Sequence, residues 1–281
     1  NFYNPSEMMV TWSTIDDPQG SVVEFGLNHI TEKTFNGSSI KFVDQGAQKL
    51  TQYIHRVLLR DLSPGKRYIY HCGSKLGWSE IFFFTAMKSG ANFSPHLALY
   101  GDLGAENSQS LTRLQEEVQD GKYDAILHVG DFAYNMETVY CLLLAGPNTI
   151  HKEMFGLEDL LVTYGVDLAI WAHEHSYERL FPLYNKTVYN GSMEEPYKNP
   201  KSLTHIITGS AGCWSRHDPF PKNMPPWSAF RTVDYGYSRM QAINYTHLYF
   251  EQVSIDQGGK VIDSFHLIRE NHAPYGPFPK M

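Results

Sequence analysis

The residues best suited to chemistry follow an apolar run over 125–129. A glycine ends this run, Asp131 comes next, and Tyr134 follows three residues later. The apolar run is typical of a buried strand. Open α/β sheets place their ligand chemistry just past the carboxyl ends of their strands. An aspartate in that position can bridge two cations, and a tyrosine on the following turn can reach one of them. The spacing therefore indicates a metal-binding strand end.

Two more strand ends carry metal-ligating residue types. Asp102 follows the apolar run 96–100, and His173 and His175 follow the run 166–171. Aspartate and histidine suit hard or borderline cations. Residues two apart at a strand end share a side, so both imidazoles can face one cavity. Two cations roughly 3.5–4 Å apart, bridged by one carboxylate, can activate water for in-line attack on phosphorus.

Each of these residues also has an ordinary structural explanation. Asp102, in the sequence Gly-Asp-Leu-Gly, could cap the helix that follows it. His173 and His175 could be surface histidines at the end of a strand. The occurrence of all three groups at successive strand ends favours a metal site over these separate explanations.

The elements that must position these side chains alternate between strand and helix. Leu111, Leu114 and Val118 share one face of a predicted helix, and a second helix is predicted over 157–164. Further strands are predicted over 204–208, 237–243, 247–253 and 261–267. The pattern predicts an α/β domain over 95–270, in which β-sheet layers are flanked by helices.

Residues 1–90 are predicted instead to form short strands, because strand signals recur roughly every 8–12 residues. Leu62, Pro64 and Tyr68 have the spacing of the tyrosine corner of fibronectin-type sandwiches, in which the phenol bonds back to upstream backbone. Trp12 and Tyr68 are accordingly predicted to lie in a core. The sequence thus predicts a two-domain protein with an N-terminal fibronectin-type β-sandwich.

Composition excludes several function classes. The chain of 281 residues is 42% hydrophobic and carries a formal net charge of −7, without a basic run. Nucleic acid and anionic membranes are therefore poor partners, and no apolar run approaches the roughly 18 residues of a membrane span. Three cysteines leave one unpaired in any disulfide scheme, so they indicate no disulfide framework. The sequence carries no signature of the oligomeric state.

Five Asn-x-Ser/Thr sequons favour passage through the secretory route. The chain opens with Asn1-Phe2-Tyr3, without a signal peptide, which is typical of a mature or clipped start. We expect a secreted or secretory-pathway glycoprotein. The expected glycosylation sites are Asn36, Asn92, Asn185, Asn190 and Asn244.

The motifs at the three strand ends are Gly-Asp-Leu-Gly, Gly-Asp-Phe-Ala-Tyr and Ala-His-Glu-His-Ser-Tyr-Glu-Arg. They resemble the metal motifs of purple acid phosphatases, within the calcineurin-like metallophosphoesterases, and look closest to the animal iron/zinc purple acid phosphatase-like proteins. The resemblance implies a dinuclear centre of iron and zinc that hydrolyses small phosphate monoesters by metal-activated hydroxide. It implies that Asp102, Tyr134 and His175 hold the ferric ion. It also implies that Asp131 bridges the two metals and that His173 binds the divalent one.

The resemblance is incomplete between Tyr134 and His173. The family has two further ligand segments there. One, Gly-Asn-His-Glu or Gly-Asn-His-Asp, supplies an asparagine ligand and a histidine that assists the leaving group, and the other ends in a histidine ligand. Only 137–155 is left to hold them, whereas one βαβ unit takes roughly 30 residues. We therefore expect an internal deletion near 137–155, which leaves the α/β domain incomplete in its middle and its flanking apolar strands without their usual neighbours.

Two functions from different classes follow. The first is a metal-dependent acid phosphatase. The second is a catalytically impaired or inactive secreted glycoprotein with at most one metal half-site, because the divalent side keeps only Asp131 and His173 while catalytic zinc usually has three protein ligands. A purely adhesive sandwich protein ranks last, since it does not explain the metal motifs. No residue is assigned as a general acid, and among the other histidines only the loops of His205 and His217 could reach the site.

Overall fold

The computed structural model describes residues 4–44, 49–90, 92–104, 107–131, 157–213, 217 and 220–276. Tyr134 and the stretch 137–155 lie outside these described residues. The chain divides into two compact units, Asn1–Phe93 and Ser94–Met281. The first unit is built from strands alone in its described part, and the second combines strands with two described helices.

The strands of the first unit form two antiparallel sheets. They are β1 (Met8–Thr14), β2 (Val22–Gly26), β3 (Lys33–Asn36), β4 (Ser38–Val43), β5 (Thr51–Leu59), β6 (Arg67–Ser74), β7 (Gly77–Trp78) and β8 (Phe82–Thr85). One sheet has the order β1-β5-β4, and the other has the order β3-β2-β6-β7 with β8 also paired to β6. Two packed antiparallel sheets with a shared core are the predicted β-sandwich.

The core between these sheets depends on alternating apolar residues such as Val23, Phe25 and Val57, all fully buried. Tyr68 is buried beside them, and its hydroxyl accepts a hydrogen bond from the backbone N–H of Ser63 at 2.9 Å. This bond is the predicted tyrosine corner. Trp12 is only partly buried at the edge of the same core.

The second unit contains two larger sheets and a short hairpin. Its elements are β9 (His96–Tyr100), α1 (Leu111–Gln119), β10 (Ala125–His128), α2 (Glu158–Thr163), β11 (Leu168–Trp171), β12 (Tyr177–Leu180), β13 (Leu183–Tyr184), β14 (Thr187–Val188), β15 (Thr204–Thr208), β16 (Ser228–Thr232), β17 (Gly236–Ala242), β18 (His247–Ser254) and β19 (Lys260–Ile268). The sheets have the orders β10-β9-β17-β18-β19 and β11-β15-β12-β16, and β13 pairs with β14.

One apolar cluster joins the two sheets, with Leu99 and Phe250 from the first and Tyr177 and Ile206 from the second. Stacked sheets with a common core confirm the predicted layers. Strand β10 runs parallel to β9, and β11 runs parallel to β15, so the carboxyl ends within each pair lie at the same edge. These edges carry the residues that the sequence singles out.

Strands β10 and β11 are both terminal in their sheets among the described residues. Ile126 on β10 is 43% exposed, and Leu168 and Ile170 on β11 are half-buried. Within the described part of the chain, each of these two strands therefore has one unpaired edge. No helix in the described ranges is both long and apolar enough to cross a bilayer.

Candidate metal centre

The three predicted strand ends supply one cluster. Asp102, Asp131 and His173 each offer a ligand atom, and these atoms all lie within 4.8 Å of one another. They follow β9, β10 and β11, respectively. Asp102 does not cap α1, which begins at Leu111 with Ser110 as its N-cap. The structure therefore brings together side chains that are far apart in the sequence and belong to both sheets.

Asp102 lies between the two histidines and is fully buried. Its Oδ2 accepts a hydrogen bond from the backbone N–H of His173 at 2.7 Å. Its Oδ1 is 3.3 Å from Nε2 of His175. On the other side of the cluster, Nδ1 of His173 is 3.0 Å from Oδ2 of Asp131. Each histidine thus faces one carboxylate, which is the arrangement expected of residues that share cations.

The side chains of the cluster differ in their exposure to solvent. The side chain of His173 is 64% exposed, whereas those of Asp131 and His175 are 16% and 12% exposed. The hydrogen bond to the Asp131 carboxylate raises the pKa of His173 above its usual value. A cation bound by His173 and Asp131 would replace the proton that they share. Protons and cations therefore compete for these two side chains.

The backbone is strained at three of these positions. Asp102, Asp131 and His173 have φ angles of 58°, 42° and 79°, in the left-handed region. Aspartate and histidine adopt this region more often than most other non-glycine residues, but each still costs of order 1–3 kcal/mol there. Such strain concentrates at functional sites, where the surrounding structure holds the side chains in place.

Two glycines allow the strand ends to approach one another. A Cβ on Gly101 would lie 2.2 Å from Cβ of Ala172, between the ends of β9 and β11. A Cβ on Gly209 would lie 2.5 Å from Oδ2 of Asp102 and 2.3 Å from the carbonyl oxygen of Glu174. The glycine before Asp102 in the Gly-Asp motif is therefore required by the close packing of the two sheets at this edge.

The two remaining histidine candidates differ in position. His205 is buried in β15, where its Nδ1 accepts a hydrogen bond from Nε1 of Trp171 at 3.0 Å. Every residue of β15 is buried, and the His205 side chain lies in the protein interior. His217 lies beside the cluster, since its Nδ1 donates to the backbone carbonyl of His175.

Sequence reasoning missed Cys213 as a member of the site. Its sulfur lies 2.8 Å from Nδ1 of His175. The sequence signal that could have indicated it is its position in the glycine-containing loop after the buried strand β15. This loop reads Gly209-Ser210-Ala211-Gly212-Cys213. Tyr134, the predicted phenolate ligand, lies outside the described residues. The two carboxylates and two imidazoles present fit a hard or borderline cation.

Two regions of the chain match models of known protein families. Residues 1–86 match the family model described as purple acid phosphatase, N-terminal domain. Residues 202–264 match the family model described as iron/zinc purple acid phosphatase-like protein C. These two regions flank the strand ends that carry the cluster.

Several curated proteins are similar over most of this chain. Acid phosphatase type 7 of Danio rerio is 38% identical, covering 96% of this chain and 90% of its own length. The Homo sapiens protein of the same name is 35% identical, covering 94% and 88%. The alignment with the Danio rerio protein runs over 398 positions, more than the 281 residues here, so a long segment of that relative has no counterpart in this chain.

Two further comparisons concern plant proteins. Probable inactive purple acid phosphatase 24 of Arabidopsis thaliana is 34% identical over 114 residues, which is 41% of this chain and 18% of that protein. The solved structure of purple acid phosphatase PPD1 from yellow lupin superposes with a TM-score of 0.68 at 17% identity, covering 95% of this chain and 72% of the other. The superposition shows the shared fold.

Proposed function

Because this chain belongs to the purple acid phosphatase family, we propose that it is a metal-dependent acid phosphatase that hydrolyses small phosphate monoesters. The observation that carries the proposal is the cluster of Asp102, Asp131 and His173, with ligand atoms within 4.8 Å of one another at three strand ends. The family uses a dinuclear metal centre, and this cluster provides part of one. Acid phosphatase activity of the similar animal proteins, as their names state it, supports the same reaction here.

We propose that Asp102 and His175, together with Tyr134, hold a ferric ion. Asp131 would bridge to a divalent ion, zinc, which His173 would bind. The contacts support this division, because His175 faces Asp102 at 3.3 Å and His173 faces Asp131 at 3.0 Å. Each histidine is thus paired with the carboxylate that the proposal gives it.

The chemistry divides between the cations and the chain. Bound cations of this kind polarise a phosphoryl oxygen and lower the pKa of water. Asp102, buried and bonded to the backbone of His173, fixes the two histidines relative to each other. The exposed His173 marks the open side from which a small phosphate monoester would approach.

A second candidate is a catalytically impaired or inactive secreted glycoprotein with at most one metal half-site. The long segment of the Danio rerio relative that has no counterpart here favours it. We place the corresponding deletion near 137–155. Without the two further ligand segments, the divalent side keeps Asp131 and His173, fewer than the three protein ligands usual for catalytic zinc.

We also propose glycosylation and secretion for either candidate. Asn36, Asn92 and Asn244 are exposed, as a glycan requires. Asn185 and Asn190 are half-buried, and the side-chain oxygen of Asn190 is buried. Glycans are therefore expected first at the three exposed sequons, and mass spectrometry of the protein secreted from animal cells would identify them.

Activity of the purified full chain on p-nitrophenyl phosphate, before and after chelation, tests the proposed reaction. The phosphatase proposal predicts activity that chelation abolishes, that added iron and zinc restore, and that Asp131→Asn removes. Asp61→Asn is the matched control, since Asp61 also has a left-handed φ, 56°, but is exposed in the other unit. A folded chain that hydrolyses nothing while it binds one cation supports the second candidate instead.

A further inference from the structure

Cys213 contacts the edge of the His175 imidazole that points away from Asp102. The cysteine is 1% exposed, and its sulfur is 2.8 Å from Nδ1 of His175. The other ring nitrogen, Nε2, is 3.3 Å from Oδ1 of Asp102. The imidazole is therefore held at both nitrogens, by a buried sulfur on one side and a buried carboxylate on the other.

The loop that carries Cys213 is bonded to the loop that carries Asp102. The backbone N–H of Gly104 donates to the carbonyl of Gly212 at 3.0 Å, and Nδ2 of Asn107 donates to the carbonyl of Cys213 at 2.6 Å. Gly212 has a φ of 136°, and a Cβ there would lie 2.2 Å from the carbonyl oxygen of Asn107. These contacts fix the position of the sulfur relative to the carboxylate across the ring.

Cation binding through Nε2 of His175 requires a free lone pair on that atom. The ring proton must then lie on Nδ1, where it can be donated to the Cys213 sulfur. Histidine ligands in metal sites commonly donate the second ring N–H to a nearby acceptor, which fixes the tautomer and the ring orientation.

From this geometry we infer that Cys213 is a positioning residue for the metal centre. It holds His175 in the tautomer and orientation in which Nε2 faces Asp102 and the cation. The inference rests on the proposed function, because it assumes that His175 is a metal ligand. Cys213 acts through the imidazole and does not itself bind the cation, since its sulfur contacts the opposite nitrogen of the ring.

Titration of the chelated full chain with Co²⁺, followed by calorimetry and visible absorption, tests the inference. Cys213→Ala should weaken Co²⁺ binding about 10–100-fold, the usual effect of losing such a partner. Cys213→Ser should restore most of the affinity, because a hydroxyl also accepts from Nδ1. Cys72→Ala is the matched control, since Cys72 is also buried but lies in the core of the first unit, and it should bind Co²⁺ like the wild type.

Two results would overturn the inference while leaving the metal site intact. One is unchanged Co²⁺ affinity in a folded Cys213→Ala protein. The other is a thiolate-to-cobalt charge-transfer band in the wild type that this variant loses, because the cysteine would then be a ligand. A wild-type chain that binds no Co²⁺ contradicts the proposed function together with the inference.

A second measurement does not depend on the folding of the Cys213 variants. Two-bond ¹H–¹⁵N NMR correlations distinguish the tautomers of a neutral histidine, and His175→Gln identifies the His175 signal. The inference predicts a proton on Nδ1 in the Zn²⁺-loaded protein, where Nε2 faces the cation. A proton on Nε2 would refute it.

Discussion

His205 gives a stability prediction whose size follows from its surroundings. The residue is 1% exposed, and its Nδ1 accepts from Trp171. Within the described residues its Nε2 has no hydrogen-bond partner. Burial lowers the pKa of His205 from 6.5 to about 4. Protonation would place a charge in a buried site, where the backbone of Leu183 offsets only part of the cost of burial.

The pKa difference sets the sign and the magnitude. The unfolded chain binds a proton at His205 near pH 6.5, whereas the folded chain binds it only near pH 4. The free energy of unfolding therefore falls as the pH is lowered through this window and is unaffected by this group above it. A difference of about 2.5 pH units corresponds to about 3 kcal/mol.

The perturbation is His205→Asn, whose side-chain oxygen can still accept from Trp171 but does not titrate. Guanidinium unfolding of both proteins, with chelator, should be measured from neutral pH to about pH 4. The wild type should lose about 3 kcal/mol more over this range than the variant, whatever their difference at neutral pH. Equal losses in the two proteins would refute the reasoning.

Two further substitutions test the packing of the second unit. Gly209→Ala should weaken Co²⁺ binding and lower the free energy of unfolding by about 1–3 kcal/mol, because the new methyl group collides with Asp102. Gly77→Ala is the control, since a Cβ there meets nothing within 4 Å. Equal effects of the two substitutions would contradict this account. Glu117 is 2% exposed; burial acts to raise its pKa, but hydrogen bonds from neighbouring hydroxyls and the charge of Arg239 hold it at about 2. Glu117→Gln should therefore lower the free energy of unfolding in urea by about 3 kcal/mol at neutral pH. This difference between variant and wild type should shrink as the pH falls from 4.5 towards 2, and a constant difference would rule out the ion pair as its cause.

Much of the fold could be predicted because its signals are local. The spacing of Leu62, Pro64 and Tyr68 predicts a hydrogen bond between nearby residues, and Tyr68 bonds to the backbone of Ser63. Aspartates and histidines just past apolar strands were likewise predictable as site candidates, since the carboxyl ends of parallel strands meet at one edge.

The contacts that could not be predicted are those that local patterns do not specify. Cys213 reaches His175 because its loop is bonded to the loop after β9, a pairing of distant segments that has no periodic signal. Whether His205 faces the site could likewise not be predicted, because every residue of β15 is buried. Alternation of apolar and polar residues cannot then tell which side of the strand faces the site.

The amount of metal in the purified, folded chain tests the central claim most directly. Elemental analysis after preparation at neutral pH should find two cations per chain, iron with zinc or with a second iron, and Asp131→Asn should contain fewer. One iron per chain would select the second candidate function. A folded wild-type chain that contains no metal and takes up none would contradict the assignment of Asp102, Asp131, His173 and His175 as ligands.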